Sequence, residues 1–232
     1  MTARSMSPPG EEILDDHAAD PRVILESLQN IARSNRWFGG WWAVRFGLDR
    51  LVSDLPRGTS LSLLDIGTGL GDLPERASRW AARRGLQLSS LGIERHRVVA
   101  RLATDAGLPT ILACGGSVPI GSNGVDIVTV SQVAHHLTPH AIVDLLHECD
   151  RVARRGVIVA DLVRSRLAEA GFWLGARMLA FDPVTRADGI TSIRRGFSRQ
   201  DMELLLDQAG VRGEVHLRPG FRIVAFWRPG AA

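Results

Sequence analysis

The sequence predicts an α/β fold, and three observations carry that expectation. From Leu61 onward, short runs rich in Leu, Ile and Val alternate with amphipathic segments, as strands do when they cross to helices within one sheet. The runs are nearly continuous in apolar residues, which suits strands buried on both faces. The first run, Leu61 to Ile66, leads straight into Gly67-Thr68-Gly69-Leu70-Gly71, a turn that lets backbone approach a ligand closely. With 232 residues, 45% of them hydrophobic and 23% charged, the chain suits one globular domain rather than a disordered tail or a fibre.

Each element follows from local signals. Residues 1–20 hold Pro8, Pro9, Gly10 and an acidic run without period, and read as a loose leader able to order on ligand binding. Pro21 can start a helix, in which Val23, Ile24, Leu28 and Ile31 fall at helical spacing up to Arg33. A second helix is expected from Trp41 to Leu55, ended by Pro56 and Gly58, so that residues 21–57 form a helical cap before a main domain at 58–232. Five strands are predicted at Leu61 to Ile66, Leu86 to Ile93, Thr110 to Ala113, Asp126 to Val130 and Val157 to Ala160.

Between the last two strands, Thr138 as N-cap and Pro139 at the first position open a helix that carries Ile142, Leu145, Leu146 and Val152. A further helix from Ser165 to about Phe181 is apolar almost all round. It reads as core, or as an aromatic wall, with Trp37, Phe38, Trp41 and Trp42, over a hydrophobic substrate. Asp188 to Ser198 reads as a connection to a helix that runs through Met202, Leu204 and Leu205 and stops at Gly210. Val215 to Leu217, a turn at Arg218-Pro219-Gly220 and Phe221 to Trp227 form a hairpin on one sheet edge, bringing the strand count to seven.

Composition excludes several chemistries. The 28 basic residues against 25 acidic ones leave a formal charge of +3, and every basic residue is Arg; Lys and Tyr are absent. Schiff-base catalysis, a P-loop and the tyrosine–lysine pair of many short-chain dehydrogenases are therefore impossible. Cys114 and Cys149 are too few for a disulfide framework or a zinc cluster. The most apolar early stretch, Trp37 to Leu48, contains Arg45 and is far shorter than the roughly 20 residues of a membrane span. A cytoplasmic protein with no membrane span is expected. The pairs Arg83-Arg84, Arg154-Arg155 and Arg194-Arg195 read as solvated helix ends, so the expected partner is a small-molecule substrate, with no nucleic acid, on a monomer or homodimer.

The glycine turn discriminates further. A dinucleotide-binding loop has G-x-G-x-x-G, but here the third glycine comes one position early and Asp72 stands in its place, where a carboxylate would repel a pyrophosphate. Acidic residues on both sides of the loop, Asp65 and Asp72, suit a ligand that carries positive charge. The run Leu63-Leu64-Asp65-Ile66-Gly67-Thr68-Gly69-Leu70-Gly71-Asp72 resembles the first motif of the class I S-adenosylmethionine methyltransferases. That resemblance implies a Rossmann-like seven-stranded class I methyltransferase sheet with an N-terminal helical cap, and S-adenosyl-L-methionine as cofactor.

The family's pattern then implies roles for single residues. Asp65, Gly67, Thr68, Gly69, Gly71 and Asp72 correspond to the loop under the methionine part of the cofactor. Glu94, 23 residues past Gly71, matches the acidic residue that binds both ribose hydroxyls; one ionised carboxyl can accept from two vicinal donors. Cys114 stands where the family's adenine-binding Asp is expected, so backbone near Cys114 and Gly115 is expected to hold the adenine.

After the fourth strand, Ser131-Gln132-Val133-Ala134-His135-His136 is similar to the small-molecule branch of the family and lacks the proline run of base methylases. Ser131 joins the cofactor set, and His135 or His136 is the candidate base that takes the acceptor's proton. Asn35-Arg36-Trp37-Phe38-Gly39-Gly40 and Asp188-Gly189-Ile190-Thr191-Ser192-Ile193-Arg194-Arg195-Gly196-Phe197-Ser198 are similar to segments of bacterial methyltransferases of quinones and polyketide-type natural products. They add Arg36 as a partner for the cofactor carboxylate or the substrate and Asp188 as a substrate contact, while the aromatic wall adds Trp37, Trp41 and Trp173. The implied reaction is methyl transfer to a phenolic or quinol oxygen of a small apolar molecule, without a metal. Carbon or nitrogen methylation, a non-catalytic partner with this fold and a nicotinamide oxidoreductase stay open as alternatives.

Overall fold

The computed structural model describes residues 20–230. The expected leader lies outside them except for Asp20, whose side chain accepts the Arg22 N–H and caps α1, Pro21–Trp37. After α2, Gly40–Leu51, come β1 (Ser60–Ile66), α3 (Asp72–Arg83), β2 (Gln87–Glu94), α4 (Arg97–Asp105), β3 (Thr110–Leu112) and β4 (Val125–Ser131). A 3-10 turn at Ala134–His136 leads into α5 (Pro139–Val152) and β5 (Ala153–Leu162). The chain then runs through α6 (Arg166–Met178), α7 (Pro183–Arg195) and α8 (Arg199–Gln208) to β6 (Glu214–Arg218) and β7 (Arg222–Trp227).

The seven strands form one sheet in the order β3-β2-β1-β4-β5-β7-β6. Pairing is parallel throughout the first five and antiparallel on both sides of β7. The order reverses between β1 and β4, so the carboxyl ends of these strands open onto a crevice where ligands of open α/β sheets bind. Among the described residues no helix is long and apolar enough to cross a membrane.

Each face of the sheet carries its own core. On one, α5 and α8 press Ile142, Leu145, Leu146, Met202 and Leu205 onto Val128, Val130 and Val159. On the other, Ala43, Val44, Leu48 and Leu51 of α2 and Trp80 of α3 meet Leu63, Ile127 and Ile158. Full burial of each large aliphatic side chain contributes about 1.5–3 kcal/mol, which makes α2 part of the main structure.

Close packing fixes the α2 layer. A Cβ on Gly47 would come within 2.8 Å of Ile158, and one on Gly156 within 2.4 Å of Leu51. The expected paired cap over the site therefore divides in two: α1 lies over the ligand end of the sheet, whereas α2 is a sheet-covering helix. Periodicity does not separate these roles, because both helices have an apolar stripe.

The region after β5 departs most from expectation. The helix expected through Phe181 ends at Met178, and Asp182 then caps a separate helix, α7, by accepting the Thr185 N–H at 3.0 Å, with Pro183 at its first position. This is the same start signal as Thr138-Pro139, but Gly189 and scattered charges blur the apolar stripe behind it. Gly189 has a packing reason, since a Cβ there would meet the Phe172 ring at 2.2 Å. Nor is α6 core all round: Leu167, Trp173, Leu174 and Met178 are exposed, and only Ala168 and Ala176 are buried on it.

Candidate active site

The glycine turn is held by β2. The N–H groups of Gly67 and Thr68 both donate to Ile93 O, at 2.8 and 3.2 Å. Gly67 has φ +71°, and a Cβ on it would lie 2.3 Å from Val133, so only glycine fits there. Asp65, 2% exposed at the end of β1, accepts from Thr68 Oγ1 at 2.9 Å and Thr129 Oγ1 at 2.6 Å. Burial pushes its carboxyl up to about 7 against those two hydrogen bonds, and Asp72 and Glu94 add to the rise. Burial likewise raises Asp72, although Asn35 and Arg76 oppose it.

These groups line one cavity of about 450 Å³ at the carboxyl ends of β1, β2 and β4. Glu94 sits on its wall with Oε1 accepting the His96 N–H at 3.0 Å, leaving Oε2 for a ligand. Cys114 and Gly115 line it too, as does Ser131, whose buried Oγ has no hydrogen-bond partner. Gly71 closes the loop from behind as the N-cap of α3, with φ +77°.

The His pair stands on the 3-10 turn after β4 and also lines this cavity. His135 is buried, with Nδ1 2.7 Å from Asp161 Oδ1 at the end of β5. Burial alone would raise Asp161, but the His135 ring and the Leu162 N–H outweigh it and hold the carboxyl below its ordinary range. With Asp161 ionised, Nδ1 is the donor to it, and in the neutral ring the acceptor is then Nε2. That nitrogen is buried without a hydrogen-bond partner.

A second cavity of about 210 Å³ lies between α1, α6, α7 and the start of β7. Phe38, Phe172, Phe181 and Phe221 make its walls largely aromatic, and Trp37 and Asp188 stand on its lining. Asn30 on α1 ties to α7 by donating to Asp182 Oδ2 at 3.0 Å. Ile31, Gln132 and Ser192 line both cavities and so mark where they meet.

Gln132 is the hinge of this junction. Its φ of +57° is uncommon for a non-glycine residue, at roughly 1–2 kcal/mol. Three bonds hold it there: its N–H to Ala160 O at 2.9 Å, Nε2 to Asn35 Oδ1 at 2.5 Å, and Oε1 from Arg222 Nη1 at 2.8 Å. Asn35 in turn reaches Asp72 at 3.3–3.4 Å. A line of polar contacts therefore runs from the glycine loop to Arg222 in the aromatic cavity.

Three expected contacts lie elsewhere. Arg36 lines neither cavity; its guanidinium lies over the Trp37 ring, 5.3 Å from the centroid. Trp41 packs against the α2 core, and Trp173 faces outward under Arg177, because helical phase turns them from the cavities. Asn35, Gln132, Asp161 and Arg222 were not foreseen as site residues. The one available signal was the charge of Arg222 at the start of an apolar strand, since buried charges need a reason.

Comparison with known proteins adds an independent finding: residues 64–160 match a family described as methyltransferase domain. Over that stretch the chain is similar to a methyltransferase domain. An S-adenosylmethionine-dependent methyltransferase from Aquifex aeolicus shares its fold over 90% of this chain and 98% of its own, with TM-score 0.61 and 17% identity. One from Methanosarcina mazei does so over 77% and 96%, with TM-score 0.53 and 15% identity. Human N-acetylserotonin methyltransferase, solved with S-adenosylmethionine, covers 96% of this chain at TM-score 0.64 and 14% identity, and this chain spans 60% of it. No curated protein sequence matches the chain.

The residues of the cavity beside the glycine loop fit S-adenosylmethionine. Its rim offers carboxylates toward a cationic ligand, the unpartnered Ser131 Oγ, the open Oε2 of Glu94 and a loop in which a Gly67 side chain would clash.

Proposed function

We propose that this methyltransferase transfers the sulfonium methyl of S-adenosylmethionine to a small, largely apolar acceptor held in the aromatic cavity. The nucleophile is a phenolic or quinol oxygen, of the kind found in secondary metabolites. One observation carries this reading: the 450 Å³ and 210 Å³ cavities meet at Ile31, Gln132 and Ser192, so two ligands can touch only there.

When bound, the cofactor supplies an activated methyl on sulfur. The protein's part is to align acceptor oxygen, methyl carbon and sulfur, and to exclude water. Glu94 holds the ribose hydroxyls, Asp65 and Asp72 face the cationic methionine end, and backbone at Cys114 and Gly115 receives the adenine. Gln132, locked by three hydrogen bonds, sets the passage between the ligands. His135 Nε2 takes the acceptor proton as the oxygen–methyl bond forms and the sulfur–methyl bond breaks, and Asp161 stabilises the imidazolium that results. The proline-free Ser131-Gln132-Val133-Ala134 run supports a small acceptor over a nucleic-acid base.

The test is transfer of isotopically labelled methyl from S-adenosylmethionine to a panel of phenols and quinols, with product mass locating the new group. Cofactor binding without turnover on any member would refute the reading.

A further inference from the structure

The aromatic cavity contains a charge that the transfer of a methyl group does not require. Arg222 lies on its lining and is 2% exposed. A guanidinium has five N–H donors, and Arg222 uses two: Nε to Phe38 O at 2.9 Å and Nη1 to Gln132 Oε1 at 2.8 Å. Both acceptors are neutral. Nη2 and the second Nη1 hydrogen have no acceptor among the described residues.

No carboxylate among the described residues satisfies it. Asp161 influences Arg222 through space, but its oxygens serve His135 and the Leu162 N–H, and no ion pair joins it to the guanidinium. Asp188, the other ionisable residue on this lining, is engaged within the protein. Burial of a cation against phenylalanine rings is costly unless an anion joins it. Burial pulls the guanidinium down to about 10, which leaves it charged at neutral pH.

Position narrows the partner. Through Gln132, Arg222 is one hydrogen bond from the junction where the methyl acceptor atom must sit. The guanidinium plane leaves both Nη2 hydrogens and one on Nη1 for a ligand, and planar charged donors of this kind match the two oxygens of a carboxylate. Resting on the acceptor-cavity reading above, we propose that the acceptor is an aromatic acid whose carboxylate binds the free fork of Arg222, next to the hydroxyl that is methylated. The aromatic walls hold the ring, Arg222 holds the acid, and specificity follows because a neutral analogue leaves the fork buried and unpaired.

The test uses the full chain saturated with S-adenosylhomocysteine and titrates 2-hydroxybenzoate and its neutral isostere 2-hydroxybenzamide calorimetrically. The acid should bind at least about 10-fold more tightly than the amide, the scale of one charge-assisted pair. R222Q should bring the two within about 2-fold, while R222K, which keeps the charge, should retain part of the preference. Equal binding of acid and amide to the wild type, a comparison that needs no variant, overturns the assignment of Arg222, as does a preference that survives R222Q. Gly171→Leu, which fills the cavity from α6, should abolish binding of both compounds; unchanged binding there, or no binding of either to the wild type, refutes the cavity itself as the acceptor site.

Discussion

Glu94→Gln is the sharpest probe of the cofactor site. In the structure Oε1 of Glu94 is committed to the His96 N–H at 3.0 Å, and Oε2 is open to the 450 Å³ cavity. Glutamine can keep the first contact through its carbonyl oxygen, so the strand end should stay in place. What changes is the second position: on the proposed role, a carboxylate acceptor is replaced by an NH₂ donor toward the ribose hydroxyls. The loss is one charge-assisted hydrogen bond, about 1.5–3 kcal/mol, or roughly 10- to 150-fold in Kd. Isothermal titration with S-adenosylhomocysteine measures it, with the thermal midpoint of the ligand-free variant as the folding control. A change below about 3-fold in a folded variant would mean that Glu94 does not touch the ribose, and the assignment built on its place after β2 would fall.

The remaining predictions concern the loop, the base and pH. Gly67→Ala combines a left-handed φ of +71° with a Cβ 2.3 Å from Val133, and should lower the melting midpoint by several degrees and weaken cofactor binding. Gly58→Ala, at φ +87° with open space around it, is the control that carries the backbone strain alone. His135→Gln and Asp161→Asn should each slow methyl transfer by about 10²- to 10⁴-fold with cofactor affinity nearly unchanged; full rates in both would remove the dyad from the mechanism. Asp65 has a folded pKa of about 7, raised from 3.8, so the native state holds its proton more tightly than the unfolded chain. Its contribution therefore favours the ligand-free fold at low pH and is lost as pH rises from about 4 to 7. A cationic ligand favours the ionised form, so affinity should fall roughly tenfold per unit below about pH 7, and titrations in buffers of different ionisation heat should show proton release. Asp65→Asn should flatten that dependence.

Much of this molecule is legible in its sequence because the signals are local. Strands buried on both faces need continuous apolar runs, the turn after β1 needs residues that tolerate positive φ, and Thr138-Pro139 satisfies the first turn of α5; each condition is met within a few residues. Glu94 is legible for the same reason, since its place follows from one strand–turn–helix unit. The helix α7 carries the same start signal at Asp182-Pro183, yet its apolar stripe is broken by a glycine whose purpose is to admit Phe172 from another helix.

The candidate site is a different matter, because its parts meet across the chain. Gln132 reaches Asn35 over 97 residues, Arg222 reaches Gln132 over 90, and Arg222 reaches Phe38 over 184. His135 acquires its tautomer from Asp161, 26 residues away at the end of a neighbouring strand. No periodicity encodes such contacts. The sequence by itself determined the sheet, the glycine loop and the acidic residue after β2, since backbone geometry and solvent exclusion act at short range. Tertiary structure alone decided that α2 is core, that Trp41 and Trp173 point away from the cavities, and that a lone guanidinium stands in an aromatic cavity beside the junction, because burial and charge pairing depend on which surfaces the folded chain brings together.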